Sequence, residues 1–133
     1  MEHDEVRRHL EKILASSAFS NARRAQQFLR FVVEESLAGR ASDIKETVVA
    51  AQVFNLSGKF DRRNNSIVRA EATHVRRRLR DYYLAWGSSD TIVIDLPRGR
   101  YLPVIRAAPP DPRRKQLAAI LSWFRLGQSS PRE

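Results

Sequence analysis

The sequence predicts a mainly α-helical domain closed by a small β-hairpin. Three observations carry this expectation. Up to about residue 87, apolar residues recur at the 3.6-residue spacing of a helix face. From residue 91 the spacing changes to the two-residue alternation of a strand. The length, 133 residues, suits one domain with a modest core and a tail.

The helices are read in order. Asp4 is placed to cap a first helix to about Ala15, with Val6, Leu10, Ile13 and Leu14 on one face. "SSAFSN" breaks it. Ser20 or Asn21 then caps a longer helix to about Leu37, with Ala25, Phe28, Leu29, Val32 and Val33 inward and Gly39 as its stop. Asp43 with Glu46 three residues on reads as a capping box, and Ile44, Val48, Ala51 and Val53 give that helix a buried face. "NLSGKFDRRNN" has no period and reads as a loop. Asn65 or Ser66 caps a fourth helix that runs to Trp86 and ends at Gly87, burying Val68, Val75, Leu79, Tyr82 and Trp86, with Ile67 and Tyr83 at the margins.

"TIVIDLP" alternates Ile92, Ile94 and Leu96 against Val93 and Asp95, and "RYLPVIR" returns after a tight turn. Leu96-Pro97-Arg98-Gly99 suits a type I turn, with Gly99 supplying positive φ just beyond it. Pro103 has no N–H for a ladder, so the hairpin is an edge element. "AAPPDPRRK" is a stiff linker, and "KQLAAILSWFRLG" gives a short amphipathic helix with Leu117, Ile120, Leu121 and Phe124 on one face. The expected division is a helical pair packed on the domain (1–40), the core unit (41–106), the linker (107–115), the terminal helix (116–127) and a tail (128–133).

Charge narrows the function. The net charge is +9, which favours a polyanionic partner. It is also concentrated: between Lys59 and Arg80, eight basic residues stand against two acids. On the fourth helix Arg69, Thr73, Arg76, Arg77 and Arg80 recur at i, i+4, i+7, i+8 and i+11, a stripe of cations and one threonine with no acid to pair them; Glu71 projects elsewhere. Like charges at this spacing destabilise a helix unless something neutralises them. Arg78 lies off the stripe and is expected to be solvated or paired with an acid at the core edge. Tyr82, Tyr83 and Trp86 share the face of Val75 and Leu79 and are read as core. His3 and His9 have no metal-ligand spacing around them. With no cysteine, disulfides and thiolate metal sites are excluded. No phosphate loop, nucleophile motif or convergent acid cluster is present, so neither an enzyme nor a cofactor or metal is expected. The charged N-terminus does not read as a signal peptide and no apolar run is long enough to span a membrane, so a cytoplasmic, nucleoid-associated protein is the expectation.

Helices, then a basic helix, then a hairpin with arginines at its tip is the order of a winged helix-turn-helix. "SIVRAEATHVRRRLRDYY" is similar to the recognition helix of OmpR/PhoB-type effector domains, which carry an arginine-leucine-arginine run near the helix end. "TIVIDLPRGRYLPVI" resembles that family's wing, through Ile94, Arg98-Gly99 and Tyr101, and "IKETVVAAQVF" resembles the preceding positioning helix. The loop around "GKFDRR" stands where the family turns between its two helices. The likeness covers about residues 43 to 105 and extends to the winged-helix segment at the head of longer bacterial regulators. The family's domains open with a small β-sheet, whereas this chain opens with two helices; no receiver domain is present, so control by a phosphoacceptor is not implied.

The resemblance implies a sequence-specific binder of double-stranded DNA, a stand-alone transcriptional regulator, with the 66–86 helix in the major groove. Arg69, Thr73 and Arg77 are then the expected base readers, with Ser66 at the helix start. Arg76, Arg80 and Lys45 hold phosphates, and Arg98 and Arg100 at the wing tip touch backbone or enter the minor groove. Homodimerisation or tandem binding would double the site, and the terminal Leu117–Phe124 stripe is a candidate protein contact. Two other readings stand beside this one: an architectural nucleic-acid-binding protein without sequence preference, and an interaction protein whose basic face meets an acidic partner or membrane surface.

Overall fold

A computed structural model describes residues 2–56 and 61–108, together with Ile120 and Trp123. Among these residues the chain forms four α-helices and one antiparallel hairpin: α1 (His3–Ala15), α2 (Arg23–Leu37), α3 (Glu46–Phe54), α4 (Arg62–Ala85), β1 (Ile92–Asp95) and β2 (Val104–Ala107), with a 3-10 turn at Ala41–Asp43. The expected mainly helical fold with a small hairpin is what forms. Of the expected 107–115 linker, Ala107 belongs to β2, and the part from residue 109 onward lies outside the described residues, as do the tail, the terminal helix apart from Ile120 and Trp123, and residues 57–60 of the loop before α4. Ile120 and Trp123 are helical and exposed.

One core serves all of these elements. The inward faces of α1 (Val6, Leu10, Ile13, Leu14) and α2 (Ala25, Phe28, Leu29, Val32, Val33) are buried as their spacing requires. α2 packs on both α3 and α4, and α1 reaches α2 and β1, so the first two helices share the core of the segments that follow. Phe19, in the segment read only as a break, is fully buried. Gln26 fixes that break by donating from Nε2 to the Phe19 carbonyl at 2.9 Å. Across the α1–α2 seam, Arg7 pairs with Glu34 and Arg30 with Glu11.

The helix ends differ from the sequence reading in instructive ways. α1 starts at His3 after an uncapped Glu2, which leaves Asp4 inside the first turn, where a carboxylate still complements the helix dipole. α2 starts at Arg23 after Ala22, with no side-chain cap from Ser20 or Asn21. Its C-terminus is the expected one: Gly39 has φ +81°, and Arg40 N and Gly39 N return to the carbonyls of Glu35 and Ser36, the two bonds of a Schellman motif. The Asp43–Glu46 capping box does not form. Asp43 lies in the 3-10 turn, Lys45 is the cap residue of α3, and the Glu46 side chain is engaged elsewhere. α3 buries Val49 and Ala50, with Val48, Ala51 and Val53 only partly covered: an almost wholly apolar helix shows no stripe from which its inward side can be read. α4 begins one turn before the expected cap, because Asp61 Oδ1 accepts from Arg63 N (2.8 Å) and Asn64 N (3.3 Å); Asn65 is thereby drawn into the helix and buried. At the other end Trp86 is 42% exposed, not core, while Tyr82 and Tyr83 are buried.

β1 and β2 pair in the register Ile92↔Ala107, Val93↔Arg106, Ile94↔Ile105 and Asp95↔Val104. The connection is a long loop, not a tight turn; it bends at Arg98-Gly99, where Gly99 has φ +91°. Pro103 precedes β2, where its missing N–H costs no ladder bond. Val93 and Ile94 are both buried, so both faces of β1 are covered there.

Candidate nucleic-acid interface

The arginine-bearing flank of α4 faces the hairpin loop. At about 100° of rotation per residue, Arg69, Arg76 and Arg80 lie next to the buried stripe on one side, and Ser66, Thr73 and Arg77 turn further toward solvent. The structure sorts the arginines into two kinds. Arg76 is half-buried and committed to the protein: Nε donates to the Leu96 carbonyl at 2.8 Å, and Nη2 donates to the carbonyls of Pro97 at 3.3 Å and Arg100 at 3.2 Å. A guanidinium holding three carbonyls braces the loop, and Arg76 also lines both recesses between α4 and the hairpin. Arg77, Arg80, Arg98 and Arg100 are exposed, and none of their side chains has a hydrogen bond or ion pair among the described residues.

Arg69 belongs to neither kind. Its Nε donates to Glu46 Oε2 at 2.9 Å and its Nη2 to Glu46 Oε1 at 3.2 Å, while the side chain stays two-thirds exposed. The Tyr101 hydroxyl donates to the same Oε2. Burial raises the Glu46 carboxyl, but the hydrogen bonds from Arg69 and Tyr101 and the charge of Arg69 outweigh it and hold the group below its ordinary value. Burial, with Glu46 as acceptor, pushes the Tyr101 phenol up to about 12. The stripe expected to lack any acid therefore has one, supplied by α3. Sequence reasoning missed it because Glu46 was assigned to a cap, and missed Tyr101 as its partner because the two are 55 residues apart.

The smaller hydroxyls are turned to the backbone. Ser66 Oγ donates to the Arg62 carbonyl at 3.0 Å and Thr73 Oγ1 to the Arg69 carbonyl at 3.1 Å; both side chains remain exposed and keep their acceptor capacity. Lys45 is exposed at the start of α3. Two recesses separate α4 from the hairpin. One, of ≈360 Å³, is lined by Glu46, Arg69, Thr73, Arg76, Gly99, Arg100 and Tyr101. The other, of ≈400 Å³, runs from Arg80 and Arg76 over Leu79, Val93 and Leu96 to Arg98 and Arg106, the last a cation the sequence reading did not single out. The two recesses thus gather Arg69, Thr73, Arg76, Arg80, Arg98 and Arg100, with Arg77 and Ser66 on the outer side of the helix.

Arg78 leaves this face altogether. Its Nη1 donates to the Ala18 carbonyl at 2.8 Å, so its partner is a backbone carbonyl and not an acid, and the side chain is only partly exposed. Among the described residues no group of three or more His, Cys, Asp or Glu side chains is placed to hold a metal ion, and no helix is long and apolar enough to cross a membrane. No protein-family model matches the chain, and no curated protein or solved structure matches it.

Proposed function

We propose that the chain is a winged helix-turn-helix protein that binds double-stranded DNA sequence-specifically and regulates transcription. In this reading α3 and α4 are the helix-turn-helix pair and the β1–β2 hairpin is the wing. The observation that carries it is the set of exposed arginines without protein partners among the described residues: Arg80 of α4 with Arg98 and Arg100 of the hairpin loop lining the recesses between helix and hairpin, and Arg77 on the outer side of α4. Four unneutralised guanidinium groups on two elements repel one another in the free protein, and an anionic rod laid along the two elements relieves that repulsion.

The roles follow from position. Ser66, Thr73 and Arg77 occupy the outer flank of α4, the side that enters a major groove, and are the base-edge group together with Arg69. Arg80 and Lys45 flank them and hold phosphates, while Arg98 and Arg100 meet the backbone or the minor groove beyond. Arg76 contributes by fixing the loop that carries the last two.

Binding of fluorescent duplexes, first random and then enriched from a random pool, tests the reading. Selective binding with a log–log salt slope of several units, about 0.9 for each phosphate held, is the expected result. Equal affinity for every duplex makes the protein architectural. Absence of DNA binding at low salt removes the proposal.

A further inference from the structure

Glu46 joins three elements at one carboxylate: it opens α3, takes a side-on pair of hydrogen bonds from Arg69 of α4, and accepts the Tyr101 hydroxyl from the hairpin loop. Such a pairing restricts what Arg69 is able to do. A guanidinium has five N–H bonds in a fixed plane. Nε–H and one N–H of Nη2 are given to Glu46. The N–H bonds of Nη1 and the second of Nη2 stand outside the pair with Glu46, and the Tyr101 hydroxyl also interacts with this guanidinium. One N–H of Nη1 and the remaining N–H of Nη2 form the end-on edge of the group, two parallel donors aimed away from Glu46, on a side chain whose plane is fixed by the pair.

We infer that Arg69 is a guanine-reading residue and that Glu46 is the positioning residue that aims it, the end-on Nη1/Nη2 edge donating to O6 and N7 of one guanine. The inference rests on the DNA-binding reading above and names the base. Charge argues for a base over a phosphate. The Arg69–Glu46 pair is close to neutral as a unit, and a phosphate at the end-on edge would sit near the Glu46 carboxylate and be repelled by it. The O6 and N7 atoms of guanine are uncharged acceptors and incur no such penalty. Adenine offers N7 beside an amino donor, which the same edge rejects. Tyr101 strengthens the aim, because a carboxylate also held by the hairpin loop cannot swing with Arg69.

The test uses the full chain and a duplex enriched from a random pool. Each guanine of that duplex is replaced singly by 7-deazaguanine, which removes the N7 acceptor. The expected result is one guanine whose replacement weakens the wild-type protein about tenfold, the size of one charge-assisted hydrogen bond. That penalty shrinks in Arg69→Lys, which keeps the charge but has no planar fork, and in Glu46→Gln, which no longer aims the guanidinium. Should Glu46→Gln fail to fold, as judged by its melting curve, the Arg69→Lys comparison decides alone. Two results overturn the inference while leaving DNA binding intact: no guanine separates wild type from Arg69→Lys, or Arg69→Ala weakens cognate and scrambled duplexes equally and lowers the salt slope by about one unit, the mark of a phosphate contact. A wild-type protein that binds no duplex defeats the underlying reading, a signature distinct from both.

Discussion

Arg76 Nε donates to the Leu96 carbonyl at 2.8 Å, fastening the middle of α4 to the start of the hairpin loop. With Nη2 on Pro97 and Arg100, one side chain satisfies three loop carbonyls that belong to no ladder. Arg76→Ala should therefore cost about 1–2 kcal/mol of stability, the net worth of part-buried charge-assisted bonds. Faster amide hydrogen exchange should be confined to about residues 96–101. DNA affinity should fall for cognate and scrambled duplexes alike, because the loop that carries Arg98 and Arg100 loses its brace. Arg76→Lys should restore little, since an ammonium lacks the planar fork that spans the three oxygens. If Arg76→Ala keeps wild-type exchange in the loop, the brace is not what orders it.

Arg76 also shows where the sequence stops being readable. Its place on the cationic stripe follows from spacing alone, and so do the inward faces of α1, α2 and α4, because amphipathic helices write their burial into a 3.6-residue period. Spacing does not reveal which cations are spent inside the protein. Arg69 and Arg76 are occupied by residues 23 and 20 or more positions away, and only the folded chain brings Glu46 and Leu96 within reach. The caps elude spacing for a related reason. Asp61, Asn65 and Ser66 are all good N-cap residues, and the choice falls to Asp61 because Asn65 lies on the buried side of the helix. α3 was legible as a helix but not in its inward face, having hardly any polar side to define the other.

The remaining arginines should separate in salt titrations. Arg80→Ala and Arg98→Ala each remove an exposed cation from the larger recess and should lower the salt slope by about one unit, weakening all duplexes to a similar degree. Arg77→Ala should flatten preference at one base pair and spare much of the non-specific affinity. Arg78→Ala is the control. It should leave the slope unchanged but lower the melting temperature, because the bond from α4 to the Ala18 carbonyl is lost. A slope change for Arg78→Ala matching that of Arg80→Ala would mean that α4 meets DNA with another face.

The first two helices should prove inseparable from the rest. Phe28 is fully buried and its ring meets those of Phe54 on α3 and Tyr101 on the hairpin loop at 6.1 and 6.0 Å between centroids. Phe28→Ala should cost about 3–5 kcal/mol, a large share of the ~5–15 kcal/mol that holds a domain together. A chain that begins at residue 41 should lose its cooperative transition, since Val68, Ala72 and Val75 of α4 would face water. Cooperative melting of that shorter chain at the full-length temperature would show that residues 1–40 are an accessory.

A last expectation concerns pH. His9 on α1 is 8% exposed; its Nε2 lies 2.9 Å from the Tyr83 hydroxyl, which also accepts from Ile94 N of β1 at 2.8 Å. Asp90, bound by Lys12 at 2.6 Å and by the Tyr82 hydroxyl at 2.6 Å, stands 3.8 Å from Nδ1. Desolvation dominates at His9 and lowers its pKa from 6.5, against the attraction of Asp90 and with the help of Lys12. The Tyr83 hydroxyl also donates to the Ile92 carbonyl at 3.4 Å, and protonation of the His9 ring beside it buries a charge. Because the folded value is the lower one, the unfolded chain takes up the proton first as pH falls through 6.5, and stability drops from there until the folded-state value is passed. Asp90 is raised by burial but held below its ordinary 3.8 by Lys12 and Tyr82, so its contribution is intact above 3.8 and is lost only as pH falls further. The melting temperature should therefore decline between pH 7.5 and 5.5 because of His9, and His9→Gln should remove most of that slope while lowering stability at pH 7.5. An unchanged slope in His9→Gln would assign the titration to another group.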